Sequence, residues 1–372
     1  MDENELLYRL ALSNLPGVGP VYAKRLHDHC GSARAVFHTK VAHLSKIKGI
    51  GRARADLIAR FHHFSDLEKE LAFIEKHGIK CLFYADKDYP QRLLRFKEAP
   101  ILLFYMGAAD LNSRRILAVI GTRDASEYGK QMTERLIGDL VSYEPIIISG
   151  LAWGIDTAAH KAAIRHSLPT IGVLGHGLDR IYPAGNRPLA REMLKQGGLL
   201  THFNISTEPA AYHFPLRNQT VAGICDTLVV VETEPDGGSM LTVKNALNFK
   251  KKVFAIPGRI SDRNSSGCNQ LIREGHAHLL SHASQLAAEM DWSEPGGCHA
   301  KQGDIFSSEI ETALSAQEQM IFGFLKGNEK MSIDQIAAQT RLSPSAIAMA
   351  LLKLEFQGIV APLPGQMYRL AV

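Results

Sequence analysis

Asp156 and His160 stand four residues apart in SGLAWGIDTAAH (Ser149 to His160). That spacing puts a carboxylate and an imidazole on one face of a helix, where they could pass a proton. A structural use of the same pair competes with that reading. Asp156 falls in the first turn after a glycine turn, where a carboxylate satisfies the helix dipole and the loop's own amides. His160 would then bond to it or pack beneath the sheet edge. Nothing else in the chain completes a catalytic set: no nucleophile stands beside a base, and no paired carboxylates lie on matched elements. The expectation is a protein that is not an enzyme, with no metal site and no cofactor.

Arginines and rings suggest a different chemistry. Arg123 (in GTRDASEYG), Arg187 (in GHGLDRIYPAGNRP) and Arg217 (in FPLRNQT) stand in loops that also carry Trp153 and Tyr182. Guanidinium groups that hold phosphates, interleaved with aromatic faces that take bases, are what a single-stranded nucleic-acid groove needs. Gly121, Gly150 and Gly154 could let backbone approach a phosphate, and the helix start after each adds partial positive charge. The stretch EPDGGSMLT adds Gly237, Gly238 and Ser239 to the same set. Neither G-x-G-x-x-G nor G-x-x-x-x-G-K-[ST] is present, so dinucleotide and NTP binding are weakly supported.

The elements that must position these loops are five strand-length apolar runs with helical patterns between them. They are ILAVIG ending at Gly121, PIIISG at Gly150, TIGVLG at Gly175, TLVVVE at Glu232 and KVFAIPG at Gly258. Near-continuous Val/Ile/Leu strands alternating with helices predict an α/β domain with a doubly wound parallel sheet, and ligands of such sheets bind outside the carboxyl ends of the strands. That edge is where the candidate loops converge.

We read residues 1–77 as a helical helix-hairpin-helix domain, 78–292 as the α/β domain, 293–310 as a linker and 311–372 as a winged-helix domain. LPGVGPVYAKRL (Leu15 to Leu26) and IKGIGRARADLI (Ile47 to Ile58) match each other as apolar-x-Gly-x-Gly turns leading into helices. Such turns can aim amides at a phosphate, and from Lys24 to Arg60 nine Lys/Arg face only two acids. The bland alternative is that these glycines only cap helices. Gly78 to Gly107 reads as a connecting segment of short apolar runs and turns, and SEPGGCHAKQG has linker composition. Near the C-terminus, Ser332 with Gln335 makes a capping box, and Ser343-Pro344 an N-cap followed by proline. The expected recognition helix, SPSAIAMALLKLEFQG, has Lys353 as its one cation, which favours a protein contact or packing role over base reading.

With 372 residues, 45% hydrophobic and 22% charged, the chain can bury at least one sizeable core and is expected to have two or three domains, and a net charge of +4 leaves any nucleic-acid affinity to local patches. Five scattered cysteines without a C-x-x-C pair read as free thiols. The acidic start MDENELLYRL has no apolar signal region, and no apolar run approaches about 18 residues, so a cytoplasmic location without membrane contact is expected.

Taken in order, VIGTR, SGLAWGIDTAAH, TIGVLGHGLDRIYP, FPLRN, VVVET with GGSMLT, and VFAIPGR with GCNQLI resemble the DprA/Smf family of DNA-processing proteins, from about Gly78 through Leu280. The resemblance implies an extended Rossmann-like fold between the hairpin modules and the winged helix. It implies a homodimer that binds single-stranded DNA and loads the RecA recombinase during natural transformation. The family's Gly-Ser-Arg arginine falls on Arg123, and its Arg-Asn-Arg run on Arg217, Asn218 and Gln219. This sequence departs from the pattern at Gln219, at Trp153 and Ala184, where the family usually has cations, and at Thr201-His202. Lys250, with Lys251 and Lys252, is a candidate compensating patch.

Two other functions compete. PDGGSMLTV (Pro235 to Val243) approaches the loop of cytokinin-activating nucleotide phosphoribohydrolases, but Val243 and Lys244 follow the threonine where that motif needs a glutamate. A transcription factor reading through the winged helix is the third reading, and the cation-poor recognition helix argues against it.

Overall fold

The computed structural model describes residues 3–293, 315–326, 331–340, 342–356, 359–363 and 367–370. Apart from Ser293, the linker expected at 293–310 lies outside the described residues. The chain forms two compact units, Met1–Pro295 and Gly296–Val372.

The first unit begins with helices α1 (Glu3–Ser13), α2 (Pro20–Cys30), α3 (Ala33–His38), α4 (Val41–Leu44), α5 (Gly51–Ala59) and α6 (Phe64–Lys76). Gly17 and Gly49 take φ of 72° and 86° in the two matching turns, a conformation that favours glycine. Two of the local arginines brace these turns. Arg54 donates to the carbonyls of Gly17 (2.9 Å) and Gly49 (3.0 Å), and Arg25 to that of Lys48 (3.1 Å). Leu10, Leu26, Ile50 and Ile58 of this bundle share one core with Phe83, Leu102 and Phe104, so the helices pack on the sheet that follows.

That sheet has nine strands: β1 (Lys80–Phe83), β2 (Leu102–Gly107), β3 (Ile116–Ile120), β4 (Ile146–Ser149), β5 (Thr170–Val173), β6 (Gly198–Thr201), β7 (Thr227–Val230), β8 (Lys252–Ala255) and β9 (His278–Leu279). Their order is β1-β2-β6-β5-β4-β3-β7-β8-β9. The pairs from β6 through β9 are parallel, while β2 runs antiparallel to both β1 and β6. The five strands expected from Val/Ile/Leu runs are the centre of the sheet. The segment expected as a connection, Gly78 to Gly107, contributes β1 and β2, and LLTHF contributes β6. They are as long as the expected strands, but β1 and β2 are joined by a single 3-10 turn, Gln91–Arg95, so the strand-helix alternation that marks the others is missing there, and β6 has only two aliphatic residues, Leu199 and Leu200.

Helices cover both faces: α7 (Glu127–Asp139), α8 (Ile155–Arg165), α9 (Arg187–Gln196), α10 (His213–Ile224), α11 (Gly238–Asn248), α12 (Ser266–Arg273) and α13 (Ala283–Glu289). Alternation along β3 shows the two layers. Ile116, Ala118 and Ile120 pack with Val221 and Ile224 of α10, whereas Leu117 and Val119 pack with Ile137 of α7 and Ile155 of α8. From β3 the chain winds outward through β4, β5 and β6 on one side, then through β7, β8 and β9 on the other. The winding reverses between β3 and β7, and there the loops splay apart to leave a crevice.

The second unit is a winged helix with helices at Ala316–Lys326, Ile333–Thr340 and Pro344–Phe356 and a three-stranded sheet of Met331–Ser332, Met367–Leu370 and Val360–Leu363. The capping box forms as expected: the Gln335 amide donates to Ser332 Oγ (3.2 Å), and the Ser332 amide to Gln335 Oε1 (2.9 Å). On the expected recognition helix Met349 and Leu352 are 61% and 49% exposed, and Lys353 pairs with Glu318 at 3.6 Å. The helix therefore presents apolar side chains where a base reader needs donors.

Candidate nucleic-acid interface

A cleft of about 670 Å³ opens at the switch point. Gly121, Thr122 and Arg123 line it from the end of β3, Gly150 and Ala152 from the end of β4, and Thr233 to Ser239 from the loop after β7. Its wall is α10, which presents Phe214, Arg217, Asn218 and Val221. These are positions i, i+3, i+4 and i+7, one face of a helix.

The loop of Gly150 to Gly154 is held from within. Asp156, 7% exposed, accepts from the amides of Gly150 (3.1 Å) and Ala152 (3.3 Å). Burial pushes its carboxyl up, and the facing Arg217 guanidinium pulls it back down. Asp156 is thus a brace for the loop. His160 does not bond to it. Its Nδ1 donates to Thr170 Oγ1 at 2.6 Å, and burial, with Arg217 nearby, holds the imidazole neutral with a pKa of about 3. Of the two structural roles expected for His160, packing beneath the sheet edge is the one observed.

Arg217 departs most from its sequence expectation. It is 5% exposed, donates from Nη1 to the carbonyls of Gly150 and Val173, the latter at 3.1 Å, and faces Asp156. It ties α10 to the ends of β4 and β5. Only part of its electrostatic field is left for a ligand. A Cβ on Gly150 would collide with that guanidinium, and one on Gly154 (φ 75°) with the carbonyls of Thr122 and Arg123. These two glycines make room for protein groups, an arginine and two backbone carbonyls. A Cβ on Gly238, at the start of α11, would meet only open space.

Arg123 is the exposed cation of the cleft, its guanidinium carbon 5.4 Å from the centroid of the Phe214 ring. Next to it Trp153 and Tyr182, each 49% exposed, border a smaller recess with Arg123 and Phe214. Tyr182 and Phe214 lie 6.2 Å apart between centroids. The Tyr182 amide donates to Nε2 of buried His176, whose Nδ1 donates to the Gly177 carbonyl; burial keeps that imidazole neutral, as the paired roles require. Trp153 rests against Gly185, where any side chain would strike the indole. Phe214, unnamed among the sequence candidates, is the centre of this arrangement. Its position three before Arg217 on one helix face is the signal that could have found it.

Asn218, Gly237, Gly238 and Ser239 line the cleft as expected, and Ser239 donates to Thr233 Oγ1 at 2.6 Å. Three candidates are placed elsewhere. Gln219 points to the side of α10 away from the cleft face and lines a separate groove. Arg187 begins α9 with its side chain exposed and lines neither the cleft nor the recess. Lys250 follows α11 and precedes β8, which puts it at the amino edge of the parallel strands, across the sheet from the cleft. Lys252 of the same run pairs with Glu289 at 2.9 Å.

The cleft also holds carboxylates. Glu234 is paired with Arg263 at 2.8 Å, and Asp236 is exposed. On α11, where the phosphoribohydrolase motif would put its glutamate, Val243 is buried in the core and Lys244 is exposed.

Comparison with known proteins gives a consistent picture. Residues 80–291 match the family described as DNA recombination-mediator protein A, residues 308–366 the DprA winged helix domain, and residues 9–61 a SAM-like helix-hairpin-helix tandem. Protein Smf of Synechocystis is 30% identical over 404 residues, covering 99% of this chain and 100% of that protein. The crystal structure of DNA processing protein A from Streptococcus pneumoniae superimposes with a TM-score of 0.66 at 32% identity, over 76% of this chain and 97% of that one. A structure of the Helicobacter pylori protein, described for its single-stranded DNA binding mode, covers 58% of this chain and 97% of its own at 27% identity and a TM-score of 0.52.

Proposed function

The chain belongs to the DprA/Smf family of DNA recombination-mediator proteins, and on that premise we propose that its switch-point cleft binds single-stranded DNA. The observation that carries the reading is the grouping of Arg123 over Phe214 with Trp153 and Tyr182 at one opening. A cation can hold the backbone there while several π-faces take bases without regard to sequence. The free start of α11 at Gly238 and the Asn218 amide supply further donors to phosphate oxygens. Arg217 and Asp156 contribute by fixing the wall and the loop.

In this reading the chain acts as a homodimer that delivers the strand to RecA, and the protein performs no chemistry on its ligand. Arg123→Glu and Phe214→Ala test the cleft by oligo-dT anisotropy, because neither change removes the buried Asp156 and Arg217. Loss of one stacked base costs about 1–3 kcal/mol, so Phe214→Ala is expected to weaken binding about 5- to 150-fold. Unchanged affinity in both variants would show that the strand binds elsewhere. Acceleration of RecA assembly on protein-coated DNA by the unaltered chain, and its loss in Arg123→Glu, tests the delivery step.

A further inference from the structure

The groove that takes Gln219 is about 600 Å³ and lies between the first glycine turn and the sheet domain. Val18, Gly19 and Pro20 line it from the N-terminal helices, Phe96 from the segment between β1 and β2, and Leu216, Gln219 and Thr220 from α10. These α10 residues stand on the opposite side of the helix from Phe214, Arg217 and Asn218, since at 100° per residue Gln219 and Thr220 point away from the cleft face. Along α11 the two spaces are consecutive. Leu241 and Thr242 line the cleft, and Asn245, Asn248 and Phe249 line the groove. One helical turn, about 5 Å, separates them, less than the reach of one nucleotide.

We propose that this groove is a second subsite for single-stranded DNA, taking the nucleotides that leave the cleft across α10. The proposal rests on the cleft reading above. Its chemistry is that of a strand-tracking surface. The Phe96 and Phe249 rings stand 3.7 Å apart between centroids, and neutral amides of Gln219, Asn245 and Asn248 line the walls. Asn245 is 8% exposed, and among the described residues its Nδ2 has no hydrogen-bond partner, so the groove holds a buried donor that a base or phosphate oxygen can satisfy. Exposed cations adjoin the aromatic pair in sequence: Arg95 and Lys97 flank Phe96, and Lys250 follows Phe249. Lys24 of the first hairpin reaches the Lys97 carbonyl at 3.4 Å. Glu98 is the one carboxylate in the lining. Tyr212, 72% exposed at the N-cap of α10 and four residues before Leu216, falls on the groove side of that helix. A strand lying there would engage the first hairpin through the Gly19 turn. The helical domain would then add length to the binding site without itself reading sequence.

The test compares oligo-dT of about 6 nucleotides, enough for the cleft, with about 15, enough for both subsites. Leu216 and Asn248 are exposed, so the double variant Leu216→Glu/Asn248→Glu puts negative charge into the groove and leaves the core alone. The unaltered chain is expected to bind the long strand at least about tenfold more tightly than the short one, with a steeper salt slope. In the double variant that ratio falls below about threefold, with affinity for the short strand unchanged. A double variant that keeps the full length advantage overturns the groove proposal alone. A loss of self-association in place of the length advantage would give the groove to a second copy of the chain and overturn it equally. Failure of the unaltered chain to bind the short strand would overturn the cleft reading, and the groove with it.

Discussion

Asp156→Asn separates a brace from a ligand. The carboxylate is buried, accepts from the Gly150 and Ala152 amides, and is the acid facing buried Arg217. Asparagine fills the same volume but offers one acceptor oxygen, and its NH₂ must point at an amide or at the guanidinium. Arg217 is held by backbone carbonyls and has Asp156 as its facing counter-charge; removing the counter-charge of a buried guanidinium costs up to about 3–5 kcal/mol, because that charge then stays buried without compensation. In a domain of this size each kcal/mol moves the melting midpoint by about 2–4 °C, so a fall of up to about 6–20 °C is expected by calorimetry or differential fluorimetry. The loop carrying Trp153 loses its anchor in the same variant, so oligo-dT affinity measured well below the melting midpoint also falls. A variant with an unshifted midpoint and full affinity would refute the assignment of Asp156 and Arg217 as a structural pair. A variant with an unshifted midpoint but no affinity would return both residues to direct DNA contact.

Trp153→Ala is expected to weaken oligo-dT binding by about 1–3 kcal/mol, whereas Trp153→Arg roughly preserves affinity and steepens its salt dependence; negligible effects from both would leave the indole as packing on Gly185. Glu70 of α6 is 4% exposed, accepts from the Ile205 amide at 3.1 Å, and has its pKa pushed by burial up to about 7, with Cys81 and Arg9 nearby. A raised carboxyl stabilises the fold fully below the ordinary carboxylate range and loses that contribution as pH rises through about 7. Glu70→Gln should therefore exceed the unaltered chain in stability at pH 8 by up to about 3 kcal/mol, with the gap closing toward pH 5. A pH-independent difference in urea titrations would contradict it.

How much of this was legible from sequence depended on the length and placement of each signal. The central strands announced themselves because Val/Ile/Leu runs buried on both faces have few other uses, and the capping box at Ser332 and Gln335 has a fixed spacing. β6 has only two aliphatic residues, Leu199 and Leu200, and β9 only two residues in all, while β1 and β2 read as a loop because proline and aspartate punctuate the segment between them. At the candidate site, sequence located the sheet edge at which the cleft opens and the loops that line it. It could not tell which way a side chain points from its helix. Arg217 turns inward to the strand ends, Gln219 faces a different groove, and Phe214 faces the cleft. Lys250 lies away from the cleft for a topological reason, since its helix returns to the amino edge before the next strand begins. Gly150 and Gly154 were recognised as positions needing close approach, but the approaching groups are an arginine and two carbonyls of the chain itself.

The most direct test of the central claim is a salt-titrated anisotropy comparison of oligo-dT, duplex of equal length and a mononucleotide competitor. The cleft described above predicts that oligo-dT binds much the most tightly at moderate salt, with log affinity falling linearly with log salt at about 0.7 per neutralised phosphate. Equal affinity for duplex, or displacement of the strand by stoichiometric mononucleotide, would contradict it.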